Sequence, residues 1–335
     1  MTQEHFKKIF LSSDVFNDIL GQEQVKKELK SALLMGRHLL IVGPPGAGKT
    51  TIAKNVARLL PQIELNNCAY HCDPQKPVCP ECKQGKSSKK TVSGVERFVR
   101  IQGSPDLTAE DLIGDIDPIK AMEYGPLSIE AFTPGKIFKA NQGVLFFDEL
   151  NRCPEKLQNA LLQALQEGYV TIGSYDVDLQ TNFIFIGTMN PDDSNTEKIS
   201  DVLLDRFDIV YMNYPETLSV ETNIVKKSGK KLVDFPEKLL MLATLFIRLL
   251  RENKNVEKAP GVRASIGLYE RAQSNAFLAQ RKEVVGDDVK EAMISVLAHR
   301  IKLKPSVGYL KSEIEFVKEQ LDQFLAENVK DGDFT

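Results

Sequence analysis

The sequence predicts an α/β protein in which a parallel sheet lies between helices, followed by an all-helical domain. Short apolar runs alternate with helical segments as far as Met212, which is typical of a mostly parallel sheet covered on both faces. A glycine-rich turn, residues 43–50, connects one such run to a helix. After Tyr214 and Pro215 the apolar residues keep helical spacing as far as about Ile301, and no strand is evident.

The individual elements follow from spacing and from turn residues. A helical lead-in covers Phe16–Met35, and two further helices are predicted at Thr50–Leu60, which Pro61 ends, and at Pro154–Glu167. A last charged helix is predicted at Tyr309–Asn328. The five predicted strands of the sheet are Leu39–Val42, Phe98–Ile101, Val144–Phe147, Phe183–Ile186 and Ile209–Met212.

Length and composition are those of an ordinary globular protein. The chain has 335 residues, enough for about two domains, with 42% hydrophobic and 27% charged residues. The formal net charge is −3, so there is no surplus of basic residues. The composition therefore does not indicate a protein that coats nucleic acid. The N-terminus has no apolar signal region, and the longest apolar stretch, Leu239–Ile247, is too short to span a bilayer. We therefore expect a cytoplasmic protein without membrane insertion.

A phosphate-binding loop is the strongest motif. Gly43-Pro44-Pro45-Gly46-Ala47-Gly48-Lys49-Thr50 matches G-x-x-x-x-G-K-[ST] at every position. The glycines let backbone N–H groups point at phosphate oxygens, and the following helix adds its positive end. Lys49 would reach the β- and γ-phosphates, and Thr50 would offer its hydroxyl to Mg²⁺. The motif predicts ATP and Mg²⁺ as ligands.

Two carboxylates supply the other half of a hydrolytic site. Asp148 and Glu149 follow the apolar strand Val144–Phe147 directly, so they emerge at the carboxyl edge of the sheet, where ligands bind. Asp148 would hold Mg²⁺ through water, and Glu149 would orient and deprotonate the attacking water. With the phosphate-binding loop, this pair predicts an ATPase.

These motifs, with those described next, resemble the AAA+ ATPases, in the branch that contains MoxR-type ATPases and the magnesium chelatase I subunit. The resemblance covers about Phe16–Met293. Residues 187–191, Gly-Thr-Met-Asn-Pro, are similar to the sensor 1 segment, which implies that Asn190 helps to position the lytic water. Residues 203–208, Leu-Leu-Asp-Arg-Phe-Asp, are similar to the arginine-finger segment, which implies that Arg206 reaches a neighbouring subunit's γ-phosphate. Residues 260–265, Pro-Gly-Val-Arg-Ala-Ser, are similar to the sensor 2 start of a lid helix, which implies that Arg263 lies near the phosphates.

Two further segments are similar to features of this branch. Asp115–Phe132 resembles an insertion in the second core helix, and Tyr169–Leu179, with Gly173 and Ser174 at its tip, resembles the hairpin ahead of sensor 1. In related ATPases such hairpins face the ring pore or a partner. The alternative is that both are surface decorations.

The change to helical spacing after Tyr214 and Pro215 and the crowded cysteines, together with the resemblance, give the predicted domain limits. An AAA+ nucleotide-binding domain is expected at residues 1–213, with a cysteine-rich insertion at 66–92. A helical lid domain is expected at 214–305, and a C-terminal helix and tail at 306–335.

Four of the five cysteines crowd into one segment, as the pairs Cys68-x₃-Cys72 and Cys79-x₂-Cys82. Short spacing within each pair, in a chain without a secretory signal, favours a structural tetrahedral Zn²⁺ over disulfides. An iron–sulfur cluster and free or redox-active thiols remain alternatives, and His71 is an alternative ligand. Cys153 lies outside the cluster and is expected to be a packed small residue.

Three functions are compatible with these predictions. The first is an ATPase in a homo-oligomeric ring, expected to be a hexamer, that remodels a client or a von Willebrand-type partner protein. The second is the ATPase subunit of a magnesium chelatase. The third, a nucleic-acid remodeller, is the weakest because the sequence lacks interleaved aromatic and basic residues.

Overall fold

The structure, a computed structural model, describes residues 2–12, 15–172, 177–191, 193 and 199–328. The chain forms two compact units. The first comprises Met1–Ile19, Glu23–Pro44 and Gly48–Met212, and the second comprises Leu20–Gln22, Pro45–Ala47 and Asn213–Thr335. In the described part of the chain, no helix is both long and apolar enough to cross a membrane.

Strands and helices are interspersed as far as Tyr211, and helices predominate after it. The strands are β1 (His38–Val42), β2 (Ile63–Asn66), β3 (Lys89–Val92), β4 (Phe98–Gln102), β5 (Gly114–Ile116), β6 (Phe132–Pro134), β7 (Val144–Asp148), β8 (Tyr169–Ile172), β9 (Val177–Gln180), β10 (Ile184–Met189), β11 (Phe207–Tyr211), β12 (Val256–Lys258) and β13 (Lys302–Leu303). The helices are α1 (Thr2–Ser12), α2 (Glu23–Leu34), α3 (Lys49–Leu59), α4 (Pro80–Lys83), α5 (Ala109–Leu112), α6 (Pro118–Tyr124), α7 (Lys136–Lys139), α8 (Glu155–Glu167), α9 (Asp201–Leu204), α10 (Leu218–Ser228), α11 (Glu237–Glu252), α12 (Val262–Leu278), α13 (Gly286–Leu297), α14 (Pro305–Gly308) and α15 (Glu313–Asn328). Short 3₁₀ helices cover Ile129–Ala131 and Leu150–Arg152.

Five strands form the sheet of the first unit, in the order β11-β1-β10-β7-β4. All four neighbouring pairs are parallel. The predicted parallel five-stranded sheet is therefore confirmed. The apolar runs of β1 and β7 are central and fully covered, because Leu39–Val42 and Val144–Phe147 are each at most 5% exposed. A strand buried on both faces needs such a continuous apolar run.

The edge strand β4 is fixed at its start by Arg97, which is only 2% exposed. The guanidinium donates hydrogen bonds to the backbone carbonyls of Ser93, Pro61 and Gln142. Burial lowers the pKa of Arg97 from its ordinary value. One side chain thus ties the edge strand to the segment after α3 and to the turn before β7.

Three antiparallel ribbons extend from this unit. β2 pairs with β3 around the cysteine-rich segment, and β5 pairs with β6 at the two ends of the predicted insertion Asp115–Phe132. β8 pairs with β9 in the predicted hairpin. The predicted tip residues of that hairpin, Gly173 and Ser174, lie outside the described residues.

The second unit is built mainly from helices, with α11, α12, α13 and α15 around one apolar core. The expectation of helices alone is wrong in one detail, because β12 and β13 pair as a short antiparallel ribbon. These strands have three and two residues, too few to show an alternating pattern in the sequence.

Candidate functional site

The glycine-rich turn follows β1 and leads into α3. At Gly43 a Cβ atom would lie 2.1 Å from the backbone oxygen of Met212, so no side chain fits there. Gly48 has a φ of 103°, a backbone conformation that favours glycine, and it caps the N-terminus of α3. The two glycines allow the chain to turn sharply and to point the start of a helix at the site.

Lys49 lies over this loop. Its Nζ donates to the carbonyl oxygens of Gly43, at 2.5 Å, and Pro44, at 3.0 Å. Thr50 follows it in the first turn of α3. A lysine ammonium and a helix N-terminus are both attractive to phosphate, so the local electrostatics suit a nucleotide.

The two carboxylates stand where β7 ends. Thr188 on β10 is fully buried, and its hydroxyl donates to Asp148 Oδ1 at 2.7 Å. The same hydroxyl oxygen accepts the backbone N–H of Glu149 at 2.9 Å. Glu149 has φ 58° and ψ 54°, a left-handed conformation that is costly for a residue with a side chain and typical of functional sites. Thr188 therefore holds the carboxylate of Asp148 and the backbone of Glu149.

The order of the strands places Asn190 at the same edge of the sheet. β10 lies between β1 and β7, and the N–H of Gly43 donates to the carbonyl of Met189 at 3.1 Å. Asn190 follows Met189 directly, and its carbonyl accepts a hydrogen bond from Asn151. The phosphate-binding loop, the acidic pair and Asn190 thus follow three neighbouring parallel strands at their carboxyl edge.

Three side chains that the sequence reasoning missed contact the acidic pair. Arg100 Nη2 lies 2.7 Å from Asp148 Oδ2, and Gln102 Nε2 lies 2.8 Å from Glu149 Oε2. Arg152 Nη1 lies 3.1 Å from Glu149 Oε2. Alternation along β4 was an available signal, since positions 100 and 102 share one face of a strand.

Arg206 lies at the amino edge of the sheet, opposite the carboxyl edge that holds the acidic pair. It immediately precedes β11, and Phe207 is paired with His38 at the start of β1, whereas the phosphate-binding loop follows the end of β1. The five residues of β1 lie between the level of Arg206 and the phosphate-binding loop. A strand rises about 3.3 Å per residue, so this distance is roughly 15 Å. Its guanidinium contacts Asp205 at 2.8 Å and Gln166 at 3.1 Å. The structure does not bring Arg206 together with the acidic pair of the same chain.

Arg263 belongs to the second unit, in the first turn of α12. Gly46, from the tip of the phosphate-binding loop, belongs to the same unit. A Cβ atom on Gly46 would lie 3.4 Å from Cγ of Arg263. Arg263 is therefore a neighbour of the loop tip.

The four clustered cysteines form a separate site. Their sulfur atoms all lie within 4.8 Å of one another, and Cys72, Cys79 and Cys82 are buried. Four thiolates at about 2.3 Å from a tetrahedral ion lie roughly 3.8 Å apart, so the group needs only a small contraction to hold Zn²⁺. His71 does not belong to this group of candidate ligands.

The surroundings of the sulfurs combine hydrogen-bond donors, which favour thiolates, with burial, which favours neutral thiols. The backbone N–H of Cys72 donates to Cys68 Sγ, and the N–H of Val78 donates to Cys72 Sγ, both at 3.4 Å. The hydrogen bond with Cys72, followed by burial, raises the pKa of Cys68. Burial raises the pKa of Cys79 to about 12. All five cysteines are free of disulfides, and Cys153 is fully buried, as expected of a packing residue.

Three sequence families match parts of the chain. Residues 83–209 match the family described as ATPase family associated with various cellular activities (AAA), and residues 258–319 match the AAA lid domain. Residues 15–86 match the family described as magnesium chelatase, subunit ChlI. The chain belongs to the AAA+ ATPases. This membership confirms the predicted resemblance and the predicted ATPase activity.

This AAA+ ATPase is similar over most of its length to proteins named as magnesium-chelatase subunits or their homologues. It is 28% identical over 344 residues to the magnesium-chelatase subunit ChlI homolog of Methanocaldococcus jannaschii, covering 94% of this chain and 93% of that protein. It is 25% identical over 330 residues to the magnesium-chelatase 38 kDa subunit of Acidiphilium rubrum, covering 87% and 91%. A mutant of Thermotoga maritima RuvB superposes with a TM-score of 0.51 at 20% identity, covering 85% of this chain and 72% of that one. This last similarity shows the fold alone.

Proposed function

We propose that this AAA+ ATPase works in a homo-oligomeric ring, expected to be a hexamer, and uses ATP hydrolysis to remodel a partner protein or complex. The observation that carries the proposal is the separation of Arg206 from the acidic pair. The phosphate-binding loop, Asp148 and Glu149 lie at the carboxyl edge of the sheet, and Arg206 lies at its amino edge. A cation that cannot serve its own site is available to the site of a neighbouring subunit.

The residue roles follow from the chemistry of phosphoryl transfer, in which placed cations and a placed water do most of the work. Lys49 binds the β- and γ-phosphates, and Mg²⁺, when bound, neutralises charge on them. The Thr50 hydroxyl is a hard oxygen ligand that suits Mg²⁺, and the Asp148 carboxylate would hold the ion through water.

The remaining roles concern water and the γ-phosphate. Glu149 accepts the proton of the attacking water, and Asn190 orients that water. Arg263 acts on the phosphates from the lid helix, and Arg206 acts across the subunit interface.

A second candidate function is the ATPase subunit of a metal chelatase. One observation favours it: the relatives that match over most of both lengths carry the name magnesium chelatase. Both candidates use the same ATPase site, so they differ in the partner and not in the residues described above.

The experiment that separates the candidates measures ATP turnover of the purified chain with defined additions. Stimulation by a von Willebrand-type partner protein supports the remodelling function. Stimulation only by chelatase partner subunits with porphyrin and Mg²⁺ would support the chelatase function and contradict the remodelling function. Stimulation by DNA alone would contradict both.

We infer further that Cys68, Cys72, Cys79 and Cys82 hold one structural Zn²⁺, in the reducing cytoplasm. Four sulfur ligands leave no open coordination position, so the ion would stabilise structure and take no part in hydrolysis. Three of the cysteines belong to the same apolar core as the strands of the sheet. Metal binding would therefore stabilise the ATPase core and not only a peripheral loop.

A further inference from the structure

The edge strand β4 presents two polar side chains to the acidic pair. Arg100 and Gln102 are two residues apart, so both lie on one face of the strand. Besides its bond to Asp148, Arg100 Nη2 donates to Gln102 Oε1 at 3.1 Å. Gln102 in turn donates to Glu149. A continuous hydrogen-bonded chain therefore joins the two acidic residues through the edge strand.

Both oxygens of Asp148 are occupied by protein donors. Oδ1 accepts from Thr188, and Oδ2 accepts from Arg100. The two donors differ in accessibility, because Thr188 is fully buried and the Arg100 side chain is 51% exposed. A hydrated metal ion held by Asp148 can therefore reach a carboxylate oxygen most readily by replacing Arg100.

The chemistry of arginine determines how this replacement occurs. A guanidinium keeps its charge at all ordinary pH values, so Arg100 cannot release Asp148 by losing a proton and has to move away. The arginine side of this ion pair is open to solvent, which weakens the pair, so a divalent cation can displace Arg100.

We propose that Arg100 is a positioning residue that holds the Asp148 carboxylate while the site is without nucleotide and competes with Mg²⁺ for it. When Arg100 leaves, its hydrogen bond to Gln102 is lost as well, so the donor that Gln102 offers to Glu149 is no longer fixed. Metal binding at Asp148 is thereby linked to the orientation of Glu149. The proposal rests on the assignment of Asp148 to the metal in the proposed function.

The test is a binding measurement that needs no hydrolysis. A fluorescent, non-hydrolysable ATP analogue is held at fixed concentration, and Mg²⁺ is titrated to find the half-saturating concentration. For Arg100→Gln this midpoint should fall about two- to fivefold relative to wild type, as expected when a weak exposed ion pair no longer competes. Affinity for the analogue in EDTA should stay unchanged.

Arg58→Gln is the matched control. Arg58, on the last turn of α3, has a side chain about as exposed as that of Arg100 and lies 3.2 Å from Asp18, a carboxylate more exposed than Asp148. It should leave the midpoint unchanged. An unchanged or raised midpoint in Arg100→Gln would overturn the proposal, as would loss of analogue binding in EDTA, which would make Arg100 a phosphate ligand.

Asp148→Asn separates this proposal from the underlying assignment. If Asp148→Asn keeps the wild-type midpoint, Asp148 does not hold the metal and the proposed role of Asp148 fails. If its midpoint rises while that of Arg100→Gln does not fall, the assignment of Asp148 stands and only the role of Arg100 is wrong.

Discussion

At the scale of single residues, nucleotide binding and hydrolysis are assigned to different side chains. Lys49 is a cation at the start of a helix, and Glu149 is a carboxylate held in a left-handed backbone conformation at the end of a strand. The first suits the binding of phosphate, and the second suits the removal of a proton from water.

Substitutions at these two positions should therefore have different effects. Lys49→Ala should abolish tight ATP binding, because the loop loses its side-chain cation. Glu149→Gln should bind ATP with near-normal affinity and lose about a hundredfold or more in turnover, because an amide cannot accept the proton. Nucleotide titration and steady-state ATP hydrolysis measure the two quantities. Equal losses of nucleotide affinity in the two variants would contradict this division of roles.

How far the sequence reveals the site depends on how local each residue's role is. Gly43–Thr50 and the pair Asp148–Glu149 are each contiguous in the chain, so local motifs are sufficient to select them as candidates. Thr188 and Arg100 act through contacts between strands that are far apart in sequence. Such contacts depend on the strand order and register, which local patterns do not contain.

At the scale of elements, the sheet was predictable because its central strands are continuous apolar runs bounded by turns. The ribbon β12–β13 was not, because it is too short to show a period and is formed by pairing over a long sequence separation. The second unit instead depends on a buried charge cluster in its helices. Glu221 on α10 is fully buried and lies 3.1 Å from Arg248 and 2.9 Å from Arg251.

Replacing this buried carboxylate should destabilise the helical unit. Glu221→Gln leaves Arg248 and Arg251, with side chains 18% and 9% exposed, without their charged partner. The free energy of unfolding should fall by about 3–5 kcal/mol. Urea denaturation followed by circular dichroism measures it, and Glu237→Gln, which removes an exposed pair with Lys226, is the control. A loss no larger than in the control would show that the cluster is not stabilising.

The same cluster predicts a dependence on acid. Burial alone would raise the pKa of Glu221, but its bonds with Arg251, Ser265 and Arg248 outweigh burial and lower it below the ordinary value of 4.5. A lowered carboxyl pKa stabilises the fold fully above the unfolded value, and this stabilisation is lost as the pH falls through the folded value. The difference between wild type and Glu221→Gln should therefore be constant near neutral pH and shrink only in acid below about pH 4.5.

The cysteine cluster gives a second prediction at this scale. Purified protein should contain about one Zn²⁺ per chain by elemental analysis. Removing the metal with a strong chelator should lower the melting temperature of the ATPase unit, since Cys72, Cys79 and Cys82 belong to its core. Cys153→Ser is the matched control, because Cys153 is buried outside the cluster and should not change the metal content. Substoichiometric metal together with four freely reactive thiols in the native protein would leave the free-thiol alternative.

At the scale of the whole molecule, hydrolysis should depend on assembly. Arg206 is separated by the length of a strand from its own phosphate-binding loop, so one subunit alone cannot complete the charge stabilisation of the transition state. Turnover per chain should fall when the protein is diluted until the ring dissociates. Arg206→Ala should bind ATP almost normally and still lose most of its turnover.

Mixing two inactive variants is the most direct test of whether Arg206 acts across the subunit interface. Lys49→Ala subunits carry an intact Arg206 and a defective loop, and Arg206→Ala subunits carry the reverse combination. In mixed rings some interfaces join an intact loop to an intact arginine, so we predict that ATP turnover partly returns on mixing, although each variant alone is inactive. If differently tagged subunits are shown to assemble into the same rings and no turnover returns, Arg206 does not act across the subunit interface.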